Sequence, residues 1–101
     1  MAQRLELQTL LEGILGSQNV YFQPPPSVEM NYPCIVYSLD YILSAHADGA
    51  PYKIDDRYLV TVIDRNPDSA IPRKIAELPK CTYDRSFVTE NLNHYVFKLF
   101  F

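Results

Sequence analysis

The chain has 101 residues, of which 48% are hydrophobic and 21% charged, and its formal net charge is −3. That length suits one domain rather than two, and the composition excludes a disordered chain. The acidic balance, with Lys and Arg scattered and no basic cluster longer than Arg73-Lys74, argues against a protein that grips nucleic acid with its whole surface.

Residues 2–16 are expected to form a helix. Leu7, Leu10, Leu11, Ile14 and Leu15 recur at three- and four-residue spacing and make one apolar stripe, and Gly16 ends the run. The stripe is expected to cover a sheet. Met1-Ala2-Gln3-Arg4 leads into this amphipathic segment rather than into an apolar one, so no signal peptide is expected. No apolar run approaches the roughly 20 residues of a membrane span. A soluble protein made in a reducing cytoplasm follows as the expectation.

Val20-Tyr21-Phe22-Gln23 is a short apolar run, and Pro24-Pro25-Pro26 forces an extended connector after it. Without a flanking Arg or Lys, these prolines read as a stiff loop and not as a ligand for a signalling domain. A strong strand is expected from Cys34 to Ser44. Its alternate positions Ile35, Tyr37, Leu39, Tyr41 and Leu43 are all apolar or aromatic, so that face is expected to meet the helices. Ala45-His46-Ala47-Asp48-Gly49-Ala50-Pro51 reads as an exposed hairpin tip. The span Ala45 to Asp56, with His46, Asp48, Gly49, Asp55 and Asp56, is expected to be mobile in the free protein and ordered in an assembly. The return strand spans Tyr52 to Arg65.

Asn66-Pro67-Asp68-Ser69 stops that strand, since proline cannot donate to a ladder. A second helix is expected over about 69–78, capped by Asp68 or Ser69, with Pro72 in its first turn and Pro79 after its end. Ile71, Ile75 and Leu78 share its apolar face, and Arg73, Lys74 and Glu77 face water. Strands are expected at Cys81–Thr89 and Asn93–Phe101, joined through Glu90-Asn91-Leu92-Asn93. An aromatic strand Tyr95-Val96-Phe97-Lys98-Leu99-Phe100-Phe101 left as an open edge would aggregate, so it is expected to be central or covered by another subunit. The sum is an α+β fold: an antiparallel sheet of about four strands with two helices packed on one face, in a single domain over residues 1–101.

Chemistry is thinly marked. His46 and Asp48, with Asp55 and Asp56, could be imagined around a metal, but they sit on what reads as a solvated tip, and catalytic groups need rigid support. His94 has no nucleophile near it in sequence and reads as a cross-strand partner. Ser69 and Ser86 lie in no nucleophile elbow, and three separated glycines make no phosphate loop. Cys34 and Cys81 fit no zinc pattern and read as small buried hydrophobes. No catalytic residue, cofactor or metal is expected. Asp64-Arg65 and Asp84-Arg85 bracket the second helix and read either as exposed ion pairs, worth ~0–1 kcal/mol each, or as symmetric contacts between subunits. Eight Tyr and five Phe exceed what a small core absorbs, and the surplus suits an interface.

Tyr32-Pro33-Cys34-Ile35-Val36-Tyr37, then Arg57-Tyr58-Leu59-Val60-Thr61-Val62-Ile63-Asp64, Asn66-Pro67-Asp68-Ser69, Leu78-Pro79, Asp84-Arg85 and Asn91-Leu92-Asn93-His94 follow one another in an order and spacing that resembles the tail-terminator or tail-completion (head–tail joining) proteins of long-tailed bacteriophages. The likeness covers roughly residues 30–101. It implies a non-enzymatic virion structural protein of the neck, present in host cytoplasm during assembly. It would form a ring, often a hexamer, that stops growth of the tail tube. Its partners would be further copies of itself, the tail-tube protein and a head-completion or connector protein. DNA would pass through the lumen without specific binding, and no membrane would be involved. Tyr95, Phe97, Phe100 and Phe101, with Asp64, Arg65, Asp84 and Arg85, are the candidate subunit contacts. No long insertion is available for an interlocking arm; only the 45–56 hairpin could serve. Two other readings stand beside this one: a ligand- or peptide-binding module with an apolar pocket lined by Tyr37, Tyr41 and Tyr58, and a cytosolic enzyme using His46 and the aspartates.

Overall fold

A computed structural model describes residues 2–47 and 49–101. The elements run α1 (Ala2–Leu15), β1 (Val20–Phe22), β2 (Cys34–Ala47), β3 (Ala50–Asp64), α2 (Ile71–Ala76), β4 (Cys81–Thr89) and β5 (Leu92–Phe100). The described residues form an α+β fold, with two helices and one sheet of five strands in the order β1-β2-β3-β5-β4. The sheet is mixed rather than purely antiparallel, because β1 pairs with β2 in parallel, Val20 opposite Ile35 and Phe22 opposite Tyr37. A parallel neighbour requires a crossover, and residues 23–33 supply it. The crossover begins at Gln23, in the left-handed region at φ 45°, and ends at the cis Tyr32–Pro33 bond.

Core residues follow the helical and strand periods. Leu7 and Leu11 of α1 are fully buried against Ile35, Tyr37, Val60, Val62 and Leu99, while Leu10, Ile14 and Leu15 pack at the margin. Gly16, at φ +84°, closes α1, and its N–H donates to the Glu12 carbonyl at 2.8 Å. In α2, Pro72 and Ile75 are buried and Arg73 and Lys74 are exposed. Its N-cap position falls on Ala70, which makes no side-chain cap; Ser69 Oγ instead accepts the Ile71 N–H at 3.3 Å. The β4–β5 turn is tighter than expected. Glu90 and Asn91 both have positive φ, 53° and 61°, the signature of a two-residue hairpin whose twist matches its strands.

Two placements differ from the sequence expectation. Along β2, the alternate apolar series does not stay on one face. A bulge between Leu39 and Tyr41 shifts the register, so Leu39 opposes Tyr58 while Tyr41 opposes Arg57. Ile35 and Tyr37 reach the core, whereas Tyr41 and Leu43 turn to the side away from the helices and are exposed. The extra residue at a bulge reverses the parity of everything beyond it. Ile63 also lies on the side away from the helices, opposite Cys34, yet it is buried. The second difference is the supposed exposed tip at 45–51. The ladder continues through it, pairing Ala45 with Lys53 and Ala47 with Ala50, so the connection is a tight turn and not a long tip. Asp48 and the side chain of His46 lie outside the described residues.

Candidate assembly surfaces

β2 and β3 outrun their neighbours. β1 covers β2 only from Ile35 to Tyr37, and β5 covers β3 only from Arg57 to Asp64. Residues 41–56 therefore form a two-stranded arm. At ~3.3 Å per residue it extends about 20 Å beyond the sheet, consistent with a molecule measuring 51 × 24 × 23 Å.

Arg57 secures the base of this arm. Its Nε donates to Asp40 Oδ2 at 2.8 Å, and its guanidinium lies 5.0 Å from the Tyr41 ring centroid and 5.9 Å from that of Phe100. Asp40 is the residue inserted by the bulge, so the feature that reverses the faces of β2 also supplies the anion that fixes Arg57. Nearby, the Phe101 N–H donates to the Asp56 carbonyl at 3.0 Å, and Gln23 Oε1 accepts the Leu39 N–H at 3.2 Å. Beyond these two closures the arm carries apolar side chains on both faces. The register puts Ile42 and Ile54 on one face and Tyr41 and Leu43 on the other, and all four are exposed. An antiparallel ribbon ordinarily turns one apolar face inward and one polar face to water.

The second surface is the opposite edge of the sheet. β4 pairs only with β5 among the described residues, so its outer side is an open edge. Tyr83, Phe87 and Val88 are exposed along it. Phe87 stacks on His94 at 4.6 Å and 10°, and His94 Nδ1 lies 3.1 Å from the Leu92 carbonyl, so His94 is a cross-strand partner. Beside the edge, a groove of about 410 Å³ opens between α2 and the sheet, lined by Pro67, Pro72, Arg73, Tyr83, Tyr95 and Phe97.

The sequence-derived contact residues separate into different environments. β5 lies between β3 and β4 along its length, so Tyr95 to Phe101 is not an edge. Phe97 is core, 2% exposed, with its ring 5.7 Å from that of Tyr83. Tyr95 is half-buried, and its hydroxyl donates to the Pro67 carbonyl at 3.3 Å. Phe100 faces Arg57 on the other side of the sheet, and Phe101 packs at the core margin. Asp64 is buried, and its carboxylate accepts the Asn66 N–H at 3.0 Å while Asn93 Nδ2 donates to its carbonyl at 3.1 Å; it holds the exit of β3. Arg65 lies over the Tyr32 ring at 5.4 Å. Asp84 and Arg85 form an exposed ion pair with each other at 2.6 Å. The two Asp-Arg dipeptides thus make separate contacts and do not join across α2.

Chemistry at the remaining candidates is quiet. Tyr37 and Tyr58 are buried in the core with ring centroids 6.0 Å apart, and the bulge sends Tyr41 to the opposite face, so these three line no common pocket. Among the described residues no three His, Cys, Asp or Glu groups converge on a point that could hold a metal, and no helix is long and apolar enough to cross a membrane. Burial, helped by the Asp64 carboxylate, pushes the Cys34 thiol from 9.0 up to about 11. Burial also raises Cys81, and burial with Asp56 and Tyr37 beside it raises Tyr58. All three shifts keep protons on the folded chain. Their stabilising effect is complete below the unfolded-state values and is lost as pH rises through the folded ones. The melting temperature is therefore expected to fall steadily between about pH 9 and pH 11, and Cys34 is expected to resist alkylation near pH 8 until denaturant is added. A flat alkaline limb, with rapid native labelling, would contradict the burial of this thiol.

No protein-family model, curated protein or solved structure matches the chain.

Proposed function

We propose that this chain is a structural subunit of a tailed-phage neck, forming a ring at the head-proximal end of the tail tube that ends tube growth and joins tail to head. The observation that carries this reading is the 41–56 arm: a ribbon with apolar side chains on both faces, tied at its base by Arg57 to Asp40. An isolated two-stranded ribbon is marginal in water, so such an arm makes physical sense in a protein whose working state is an assembly. Order and spacing of the strand and turn motifs over residues 30–101 support the particular assembly. The net charge of −3 suits a lumen through which DNA passes without being trapped, since like charge repels the phosphates. In this reading a tube grows while each ring exposes a surface that the next can pair with, and the terminator matches that surface on one side only.

The α2–β4 groove supports a second reading, a small module that binds an extended peptide along the β4 edge. One experiment separates the two. Electron microscopy of phage lacking the chain is expected to show tails of uncontrolled length, or tails not joined to heads. Normal-length, head-joined tails would reject the neck role and leave the peptide-binding module.

A further inference from the structure

We infer that copies of this chain join head to tail, the 41–56 arm of one seating on the open β4 edge and the α2–β4 groove of the next. The inference deepens the ring reading by naming its contact. It starts from what each surface lacks. Leu39, Tyr41, Ile42, Leu43 and Ile54 are between 41% and 60% exposed. Together they leave on the order of 500 Å² of apolar side chain in water, shared between the two faces of the ribbon. That is more than half of the ~800 Å² that a standard interface covers on each partner. On the other surface, β4 presents unpaired main-chain groups beside exposed Tyr83, Phe87 and Val88, with the groove adjoining them. An extended strand added to such an edge gains ladder hydrogen bonds and can place alternate side chains in the groove.

Charge selects the occupant. Residues 39–57 carry four aspartates against Lys53 and Arg57, a net −2, whereas residues 66–85, which build α2 and the start of β4, carry four Lys and Arg against three acids, a net +1. The segment that needs covering is acidic, and the segment that can cover it is basic. A second copy brings both. Strand order also keeps the two surfaces apart within one chain: the arm is built from β2 and β3, and β4 is the edge on the far side of β5. A contact between two different patches is heterologous, so it propagates from copy to copy and closes into a ring when the rotation permits.

Complementation tests this directly. One variant, I42D with I54D, disables the arm; a second, R73E with V88D, disables the edge. All four positions are exposed, and an unchanged melting curve confirms each fold. In analytical ultracentrifugation the wild type is expected to form a closed species larger than a dimer. Each variant alone is expected to be monomeric, its self-affinity weakened roughly 100-fold or more. An equimolar mixture is expected to give a one-to-one dimer and nothing larger, because only one intact arm and one intact edge remain to meet. Hydrogen exchange should show β4 amides protected in the wild-type assembly and open in both variants. The inference is overturned by a wild type that stays monomeric, by a folded mixture that stays monomeric, or by either variant assembling like wild type. If the variants assemble as rings, the contact fails and the ring stands. If they complement but phage lacking the chain make normal tails, the contact stands and the neck role fails.

Discussion

Replacing Phe97 by Asp is expected to unfold the chain, not merely to prevent its assembly. Phe97 sits in the middle of β5, opposite Val60 on one side and Tyr83 on the other, and is 2% exposed. Removing a buried Phe costs about 3–5 kcal/mol. A carboxylate left in that apolar site adds a desolvation penalty. Against a total stability of roughly 5–15 kcal/mol for a domain, the variant should lack a cooperative thermal transition. Phe100→Asp is the control. Phe100 is three residues on, hence on the other face, half-buried and beside the Arg57 guanidinium. It should remain folded, losing about 1–2 kcal/mol through lost packing while keeping a partner for its charge. Circular dichroism melts of the two proteins decide the matter: equal stability would contradict the strand order.

This pair also marks how far the sequence could be read. The sequence marks Asn93 to Phe101 as a strand, and its aromatic run signals that it must not be an open edge. Whether strand neighbours or another subunit cover it is a question of non-local pairing, which no local pattern encodes. The parallel seat of β1 was hidden for the same reason, as three residues carry too little signal to name a partner strand. The bulge at Asp40 left no trace because both parities of β2 contain apolar residues, Val36 and Ile42 on one and Tyr41 and Leu43 on the other, so a reversal of faces does not disturb the pattern. Small residues and Pro51 made 45–51 look like a loop, yet the backbone ladder runs on to Ala47 and Ala50. By contrast, α1 was legible in full, since its five-residue stripe and Gly16 specify a length and a buried face. Of the two assembly surfaces, the β4 range could be read but its edge position could not.

Tyr37→Ala is expected to cost about 3–5 kcal/mol, among the largest losses available at a single core position. Its ring lies 4.9 Å from that of Phe22 and 6.0 Å from that of Tyr58, and it is fully buried. Its hydroxyl carries a second role. It donates to Gln8 Oε1 at 2.6 Å and accepts from Arg4 Nη1 at 3.3 Å, while Gln8 Nε2 donates to the Val20 carbonyl and to Glu12 Oε2, each at 3.0 Å. One glutamine thus ties α1 to β1 and β2 together. Tyr37→Phe keeps the packing but leaves the Gln8 oxygen short of its partner, at a cost of about 1–2 kcal/mol. Gln8→Ala removes the bond to Val20 as well, and should cost more than Tyr37→Phe. The double variant should cost less than the sum of the two, because the shared hydrogen bond is lost only once. Urea denaturation of the four proteins measures this coupling. Strict additivity would mean that α1 is held by its leucine stripe alone, and an unchanged midpoint for Tyr37→Ala would put the helices on the other face of the sheet.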